Sequence, residues 1–162
     1  MSKLSTKDAV KLALCIAVPL CIGAAGGVVT RGSLQPWYDL LRRPAFTPPS
    51  WVFGPVWTVL YILMGIAAFM VWQKGGSVPS VRAAMGAFTV QLILNAAWSP
   101  VFFGLHSLGG ALVVIVLLWA AIVWTIVLFR QVSALAAWML APYLVWTTFA
   151  VALNAGFYVL NR

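Results

Sequence analysis

The spacing of its charges limits most strongly what this chain can fold into. No charged side chain occurs in the 47 residues between Arg82 and Arg130, or in the 30 between Arg43 and Lys74. The gaps from Lys11 to Arg31 and from Arg130 to Arg162 are 19 and 31 residues. A bilayer core about 30 Å thick takes about 20 helical residues rising ~1.5 Å each. Three gaps therefore hold one span each, and the longest must fold back on itself, with His106 and Gly109-Gly110 marking the reversal. Charged residues are 7% of the chain, against roughly a quarter in a soluble domain, so a water-facing surface cannot be built from them. The fold class is an all-α integral membrane protein, a single five-transmembrane-helix bundle. Its helices are expected at about 9–29, 51–72, 81–105, 108–129 and 133–160, with a structured loop over 30–50.

The net charge of +8 is not a nucleic-acid signal. The basic residues sit at span ends, where Lys and Arg anchor helices and meet anionic headgroups, and no basic-aromatic ribbon accompanies them. Met1–Gly27 has the layout of a cleavable signal sequence, but its apolar run from Leu12 to Val29 is long enough to span, and a retained first helix is expected. Gly23 and Gly27 form a GxxxG pair that permits close helix approach. Lys3, Lys7, Lys11, Lys74, Arg82 and Arg130 fall on one side, against Arg31, Arg42, Arg43 and Arg162 on the other. This balance favours a cytoplasmic N-terminus. Cys15 and Cys21, six apart on one helix, do not share a face, so neither a disulfide nor a metal site is expected. With one His, Asp8, Asp39 and no Glu, conventional acid–base or triad chemistry is under-equipped.

The aromatic inventory is richer: nine Trp, nine Phe and four Tyr. Trp37, Trp51 and Trp72 fall near the interfaces, where an aromatic belt is the ordinary role. Trp57, Trp98, Trp119, Trp124, Trp138 and Trp146 fall deeper, to pack helices or to line a cavity for a flat ligand. Gln91, Asn95, Trp98 and Phe102 are spaced 4, 3 and 4 and share one helical face. Trp57, Tyr61 and Met64 repeat this spacing on the second helix, as do Trp138, Pro142, Trp146 and Phe149 on the fifth. Asn95 in hydrocarbon must find a partner, either as an interhelical hydrogen bond or as part of a pocket. The loop 30–50 holds Pro36, Pro44, Pro48 and Pro49, which argue for a defined shape, a lid or an interfacial segment.

The segment WYDLLRRPAFTPPSWVFGPVWTVLY (37–61) resembles the translocator protein family, also called tryptophan-rich sensory proteins or peripheral-type benzodiazepine receptors. QLILNAAWSPVFFGL (91–105) and APYLVWTTFAVALN (141–154) are similar to that family's other signature stretches, in the same order. Phe46 departs from the Trp common in the family, which removes an indole N–H. The resemblance implies a dimeric five-helix bundle with a ligand cavity beneath the first loop. It also implies binding of tetrapyrroles such as protoporphyrin IX and haem, of benzodiazepine-type drugs and, in animals, of cholesterol. By motif position the pocket would include Trp57, Tyr61, Asn95, Trp98 and Trp146, with Trp37, Tyr38 and Pro48 in the covering loop. Some bacterial relatives are reported to degrade porphyrin in light; Trp57 and Trp146 would be the redox candidates here.

A porphyrin is a flat disc with acidic propionates, so it calls for stacking rings and cations at the rim. Arg42 and Arg43 are candidates for the propionates, with interfacial anchoring as the competing role. Leu153, Tyr158 and Arg162 match a loose sterol-binding pattern. Ala83 and Ala87 form a small-xxx-small pair expected at a homodimer interface, with Gly23 and Gly27 as the other candidate pair. No cofactor is required; porphyrin or haem would be the ligand, and the bilayer the main partner. The expected function is a membrane receptor or sensor influencing porphyrin flux or stress signalling, with porphyrin breakdown or passive transport as alternatives. The host would be a bacterial cell or outer membrane, or a mitochondrial outer membrane in a eukaryote.

Overall fold

The structure is a computed structural model that describes residues 5–162, with the backbone alone at 33–35. Lys3, counted above for orientation, lies outside the described residues. Five helical spans cover Thr6–Gly32, Ser50–Trp72, Pro79–Gly104, Leu108–Val132 and Ala134–Leu160, each long and apolar enough to cross a membrane. Helix α1 is Thr6–Ser33, α2 is Ser50–Trp72, α3 is Pro79–Ser99 and α4 is Leu108–Val132. The fifth span divides into α5, Ala134–Met139, and α6, Ala141–Leu160. Contacts run α1–α2, α2–α5, α6–α4, α4–α3 and α3–α1, so the spans close into a ring in the order first, second, fifth, fourth, third.

Local chemistry accounts for the breaks. Pro79 sits at the start of α3, where its missing N–H costs nothing. At the other end, Pro100 opens a π-helical turn over Pro100–Gly104, closed by Leu105 N–H donating to the Pro100 carbonyl at 2.9 Å. His106 then takes a left-handed backbone (φ 52°), and Ser107 caps α4 by accepting from Gly110 N–H at 3.2 Å. The break in the fifth span falls at Leu140, two residues ahead of the site expected from Pro142. Proline lacks the N–H that would bond back to the Trp138 carbonyl, so the interruption appears upstream of the proline itself.

One boundary differs substantially from the sequence expectation. The first helix does not stop at residue 29 but runs to Ser33 and continues as a π-helical turn over Leu34–Tyr38. Thr30–Ser33 holds no proline, and Thr30 bonds back to the Gly26 carbonyl at 2.9 Å, so the helix carries through Gly32. Pro36 then removes a ladder donor, and the ladder widens. The irregular part of the loop is residues 41–49.

Between apolar helices in lipid the hydrophobic effect gives little, so close packing and hydrogen bonds must hold the ring. Gly65 lets α2 touch the backbone of α1: a Cβ there would stand 2.6 Å from Ile16 Cα and 2.7 Å from the Cys15 carbonyl. Gly23 seats the Tyr61 ring and Gly26 faces Ser99, while Gly27 meets nothing. The expected Gly23–Gly27 pair is therefore split, and Gly23 serves packing inside the chain. Cys15 is buried and Cys21 exposed, on different faces.

Candidate ligand site

The polar residues of three spans meet in one buried chain of hydrogen bonds. Tyr61 Oη donates to Asn95 Oδ1 at 2.9 Å, and Asn95 Nδ2 donates to Tyr143 Oη at 3.0 Å. Tyr143 Oη donates onward to Gln91 Oε1 at 2.9 Å, and Gln91 Nε2 points at Met64 Sδ at 3.9 Å. The spacing of Gln91 and Asn95 puts both on the inner face of α3, while Tyr61 and Met64 face them from α2. Trp57 stacks on Tyr61 with centroids 5.5 Å apart and meets Tyr143 edge-on at 6.1 Å.

Trp98 belongs to a second layer, toward the loop. Its Nε1–H donates to Asn154 Oδ1 at 3.0 Å, and Asn154 Nδ2 donates to the Leu108 carbonyl at 3.0 Å. Around it lie Phe102, Phe103 and Phe157, all buried. The loop closes over this layer. Trp37 stacks on His106 at 4.2 Å and meets Phe102 at 5.9 Å, and Tyr38 packs against Phe103 and Phe157, each at 5.6 Å. Pro44 is buried against Gly156, where a Cβ would stand 2.6 Å from its Cγ. Asn161, in the turn after α6, accepts from Arg42 N–H and donates to the Arg42 carbonyl, both at 2.9 Å. Pro48 is half-buried at the entry to α2.

A different feature lies between α2 and the fifth span. Helix α2 packs on α5 but scarcely on α6, and the divergence opens an apolar groove of about 530 Å³. Val56 and Leu60 form one wall; Trp138, Pro142, Trp146 and Phe149 form the other. The face expected on the fifth helix is thus a groove wall. Phe53 meets Trp146 edge-on at 5.8 Å, and Phe46 reaches from the loop to Phe149 at 6.2 Å. The Trp146 Nε1–H is buried with no acceptor among the described residues. The groove is open rather than enclosed, and its wall is almost wholly apolar.

The structure does not group every candidate. Tyr61, Asn95 and Trp57 are in contact, Trp98 sits one layer away, and Trp146 lines the groove. Arg43 is engaged: its Nη2 pairs with Asp39 Oδ1 at 2.7 Å, and its guanidinium lies 4.7 Å over the Tyr38 ring. Arg42 is exposed and forms no ion pair among the described residues. Leu153 is buried beside Phe102 and Phe103, while Tyr158 is partly exposed against Gly109. Leu153, Tyr158 and Arg162 therefore present no common outer face, because steps of 5 and 4 residues turn Leu153 away from the other two. Ala83 is exposed but Ala87 is 1% exposed, so the expected Ala83–Ala87 surface is not available either. Trp119, Trp124 and Trp138, expected deep, all face outward, and Trp119 donates to Thr148 Oγ1 at 2.8 Å.

Sequence reasoning missed Tyr143, Asn154 and Asn161. Tyr143 and Asn154 are eleven residues apart, three helical turns, and could have been placed on one inner face. Asn161 carried no local signal, since its partner is 119 residues away.

Residues 15–160 match the model of the TspO/MBR family. The chain belongs to that family. It is 43% identical over 155 residues to the tryptophan-rich protein TspO of Chlorobaculum tepidum, covering 96% of this chain and 98% of that protein. The human translocator protein is 45% identical over 119 residues, 73% of this chain and 70% of its own length. A tryptophan-rich sensory protein of Cereibacter sphaeroides is 39% identical over 136 residues, covering 82% and 84%. The chain is thus a multi-pass membrane protein of the TspO/MBR family.

Proposed function

We propose that the chain is a membrane receptor for flat, largely apolar ligands of the tetrapyrrole class, such as protoporphyrin IX or haem, bound in the groove between α2 and α6. The observation that carries this reading is Trp146: an aromatic wall residue whose buried N–H has no acceptor beside an open apolar groove. The nitrogen itself is covered, so a ligand carbonyl, carboxylate or ring nitrogen would supply that acceptor once the Trp146 ring turns toward the groove. Phe53 and Phe149 offer ring edges and faces. The polar chain through Tyr61, Asn95, Tyr143 and Gln91 holds α2, α3 and α6 at the separation the groove needs. The names of the relatives, translocator protein and tryptophan-rich sensory protein, support a role in moving or sensing, without naming a ligand. A homodimer, if formed through α3, would use its outward residues Ala83, Val90 and Ile93 rather than Ala87.

The test is a titration of the purified protein with protoporphyrin IX, read by quenching of tryptophan fluorescence, in the dark and under illumination. Trp146→Phe keeps an aromatic ring but removes the donor together with half of the indole. It should weaken binding at least about fivefold, since one hydrogen bond alone is worth about 1 kcal/mol. Unchanged affinity would remove Trp146 from the site. A new absorbing product in light, absent from a Trp57→Phe/Trp146→Phe double variant, would assign porphyrin breakdown instead of binding alone.

A further inference from the structure

The opposite end of the bundle carries a second groove, of about 350 Å³, between the end of α2 and the start of α3. Trp72 and Gly76 form one side, and Arg82, Met85, Gly86 and Thr89 the other. Its chemistry differs from that of the groove between α2 and α6, which has no charged wall residue. Here a guanidinium stands at the mouth and an apolar channel runs along α3 toward the membrane interior. Gly86 leaves this channel open, since a Cβ there would meet nothing within 4 Å. Lys11 Nζ lies 5.7 Å over the Trp72 ring, so a second cation borders the aromatic side.

The surroundings share one sign. Lys7 and Lys11 near the start of α1, Lys74 in the α2–α3 turn, Arg82 in the first turn of α3 and Arg130 at the end of α4 all lie at this end. Asp8 is the only acid there among the described residues, and its carboxylate accepts a hydrogen bond from Ser5 Oγ at 2.7 Å. Neither Arg82 nor Lys11 forms an ion pair among the described residues. A cationic mouth, an interfacial Trp and an apolar channel directed into the bilayer match the two parts of a lipid: an anionic headgroup and an acyl chain.

We propose that this groove is a binding site for one anionic phospholipid, with the phosphate on Arg82, Lys11 adding positive charge from over the Trp72 ring, and an acyl chain along Met85, Gly86 and Thr89. The site is independent of the ligand groove under the loop and asks nothing of Trp146. Each cation near a membrane surface contributes about 1 kcal/mol toward anionic lipid, or about fivefold in occupancy.

The experiment is native mass spectrometry of the full chain released from detergent. Either phosphatidylglycerol or phosphatidylcholine of identical acyl chains is added. The wild type should retain phosphatidylglycerol in preference to phosphatidylcholine. Arg82→Ala should lower the phosphatidylglycerol-bound fraction about fivefold, and Arg82→Lys should keep most of it. Arg82 is exposed, so these variants leave the core intact. Gly86→Leu, which fills the channel, should remove the adduct while protoporphyrin binding stays unchanged. Equal retention of the two lipids, or full retention by Arg82→Ala, would overturn the proposal. So would a Gly86→Leu variant that keeps its lipid but no longer forms dimers, which would give the groove to a second copy of the chain.

Discussion

Two connections, one at each end of the bundle, turn the chain at a membrane surface by opposite means. At one end α2 passes to α3 through a turn held by its own backbone. Gly75 N–H donates to the Trp72 carbonyl at 3.2 Å, Val78 N–H donates to the Gly75 carbonyl at 3.0 Å, and Gly75 itself takes φ 111°. At the other end the excursion after α1 is too long to close on itself. It is fastened to distant elements: Asn161 on the Arg42 backbone, Tyr38 between Phe103 and Phe157, Trp37 on His106, Pro44 on Gly156. The locally closed end leaves its cations free to meet lipid. The loop end uses its side chains as fasteners, and Arg43 is drawn into one of them through Asp39 and Tyr38.

The largest effect should come from unseating the loop. Gly156→Val places branched carbons where Pro44 packs, since even a Cβ would stand 2.6 Å from Pro44 Cγ. Overpacking of this kind costs about 1–3 kcal/mol. Thermal unfolding of the detergent-solubilised protein should record a loss near the top of that range. At the other end, a Cβ from Gly76→Ala would meet only the edge of the Trp72 indole, Nε1 at 3.2 Å and Cδ1 at 3.5 Å, and no backbone. The substitution should change stability by less than about 0.5 kcal/mol. Equal losses at the two positions would abolish the distinction between a fastened end and a self-closed one.

Next in size is the Asn161 clamp. Asn161→Ala removes both bonds to the Arg42 backbone, and the net loss should be about 1–2 kcal/mol of local stability. Cleavage by trypsin after Arg42 follows the population of the open loop, so it should speed up about tenfold. Cleavage after Lys74, in the self-closed turn, should be unaffected. Acceleration at both sites would mean that the variant loosens the whole bundle rather than one end.

This contrast also explains what the sequence made legible. The spans were readable because the bilayer imposes a length on every uncharged run, and their number follows from the charge gaps alone. The inner face of α3 was readable too, because the spacing of Gln91, Asn95, Trp98 and Phe102 is a property of one helix. Where the first helix ends was not, because Pro36 widens the ladder at a point that residue type alone does not fix. The separation of α2 from α6 depends on how five helices tilt together, so the groove could not be drawn from any one segment. Ala87 failed as a surface residue for a similar reason. Small residues permit close approach on either side of a helix, and α3 turns this one inward toward the bundle. Trp138 and Trp146 share a helical face, yet only the surrounding helices make one outward-facing and the other half-buried.

The smallest effect concerns Tyr38, whose ring lies between the loop and the bundle. Burial pushes its phenol above the ordinary value, the Arg43 guanidinium lowers it in part, and Asp39 raises it again. The folded loop therefore holds the neutral phenol more readily than the released loop does. The sign follows from proton binding. Between the ordinary tyrosine value and the raised one, the released loop has lost its proton while the docked loop retains it. Docking is thus fully supported below the ordinary value and weakens as pH rises through the raised one. Phenolate absorbance of wild type minus Tyr38→Phe should show Tyr38 titrating above free tyrosine, and cleavage by trypsin after Arg42 should rise over the same interval. In Tyr38→Phe that rise should disappear while the aromatic contacts to Phe103 and Phe157 remain. If the rise persists in Tyr38→Phe, alkaline loosening of the loop belongs to another group, and the Tyr38 contact acts through its ring alone.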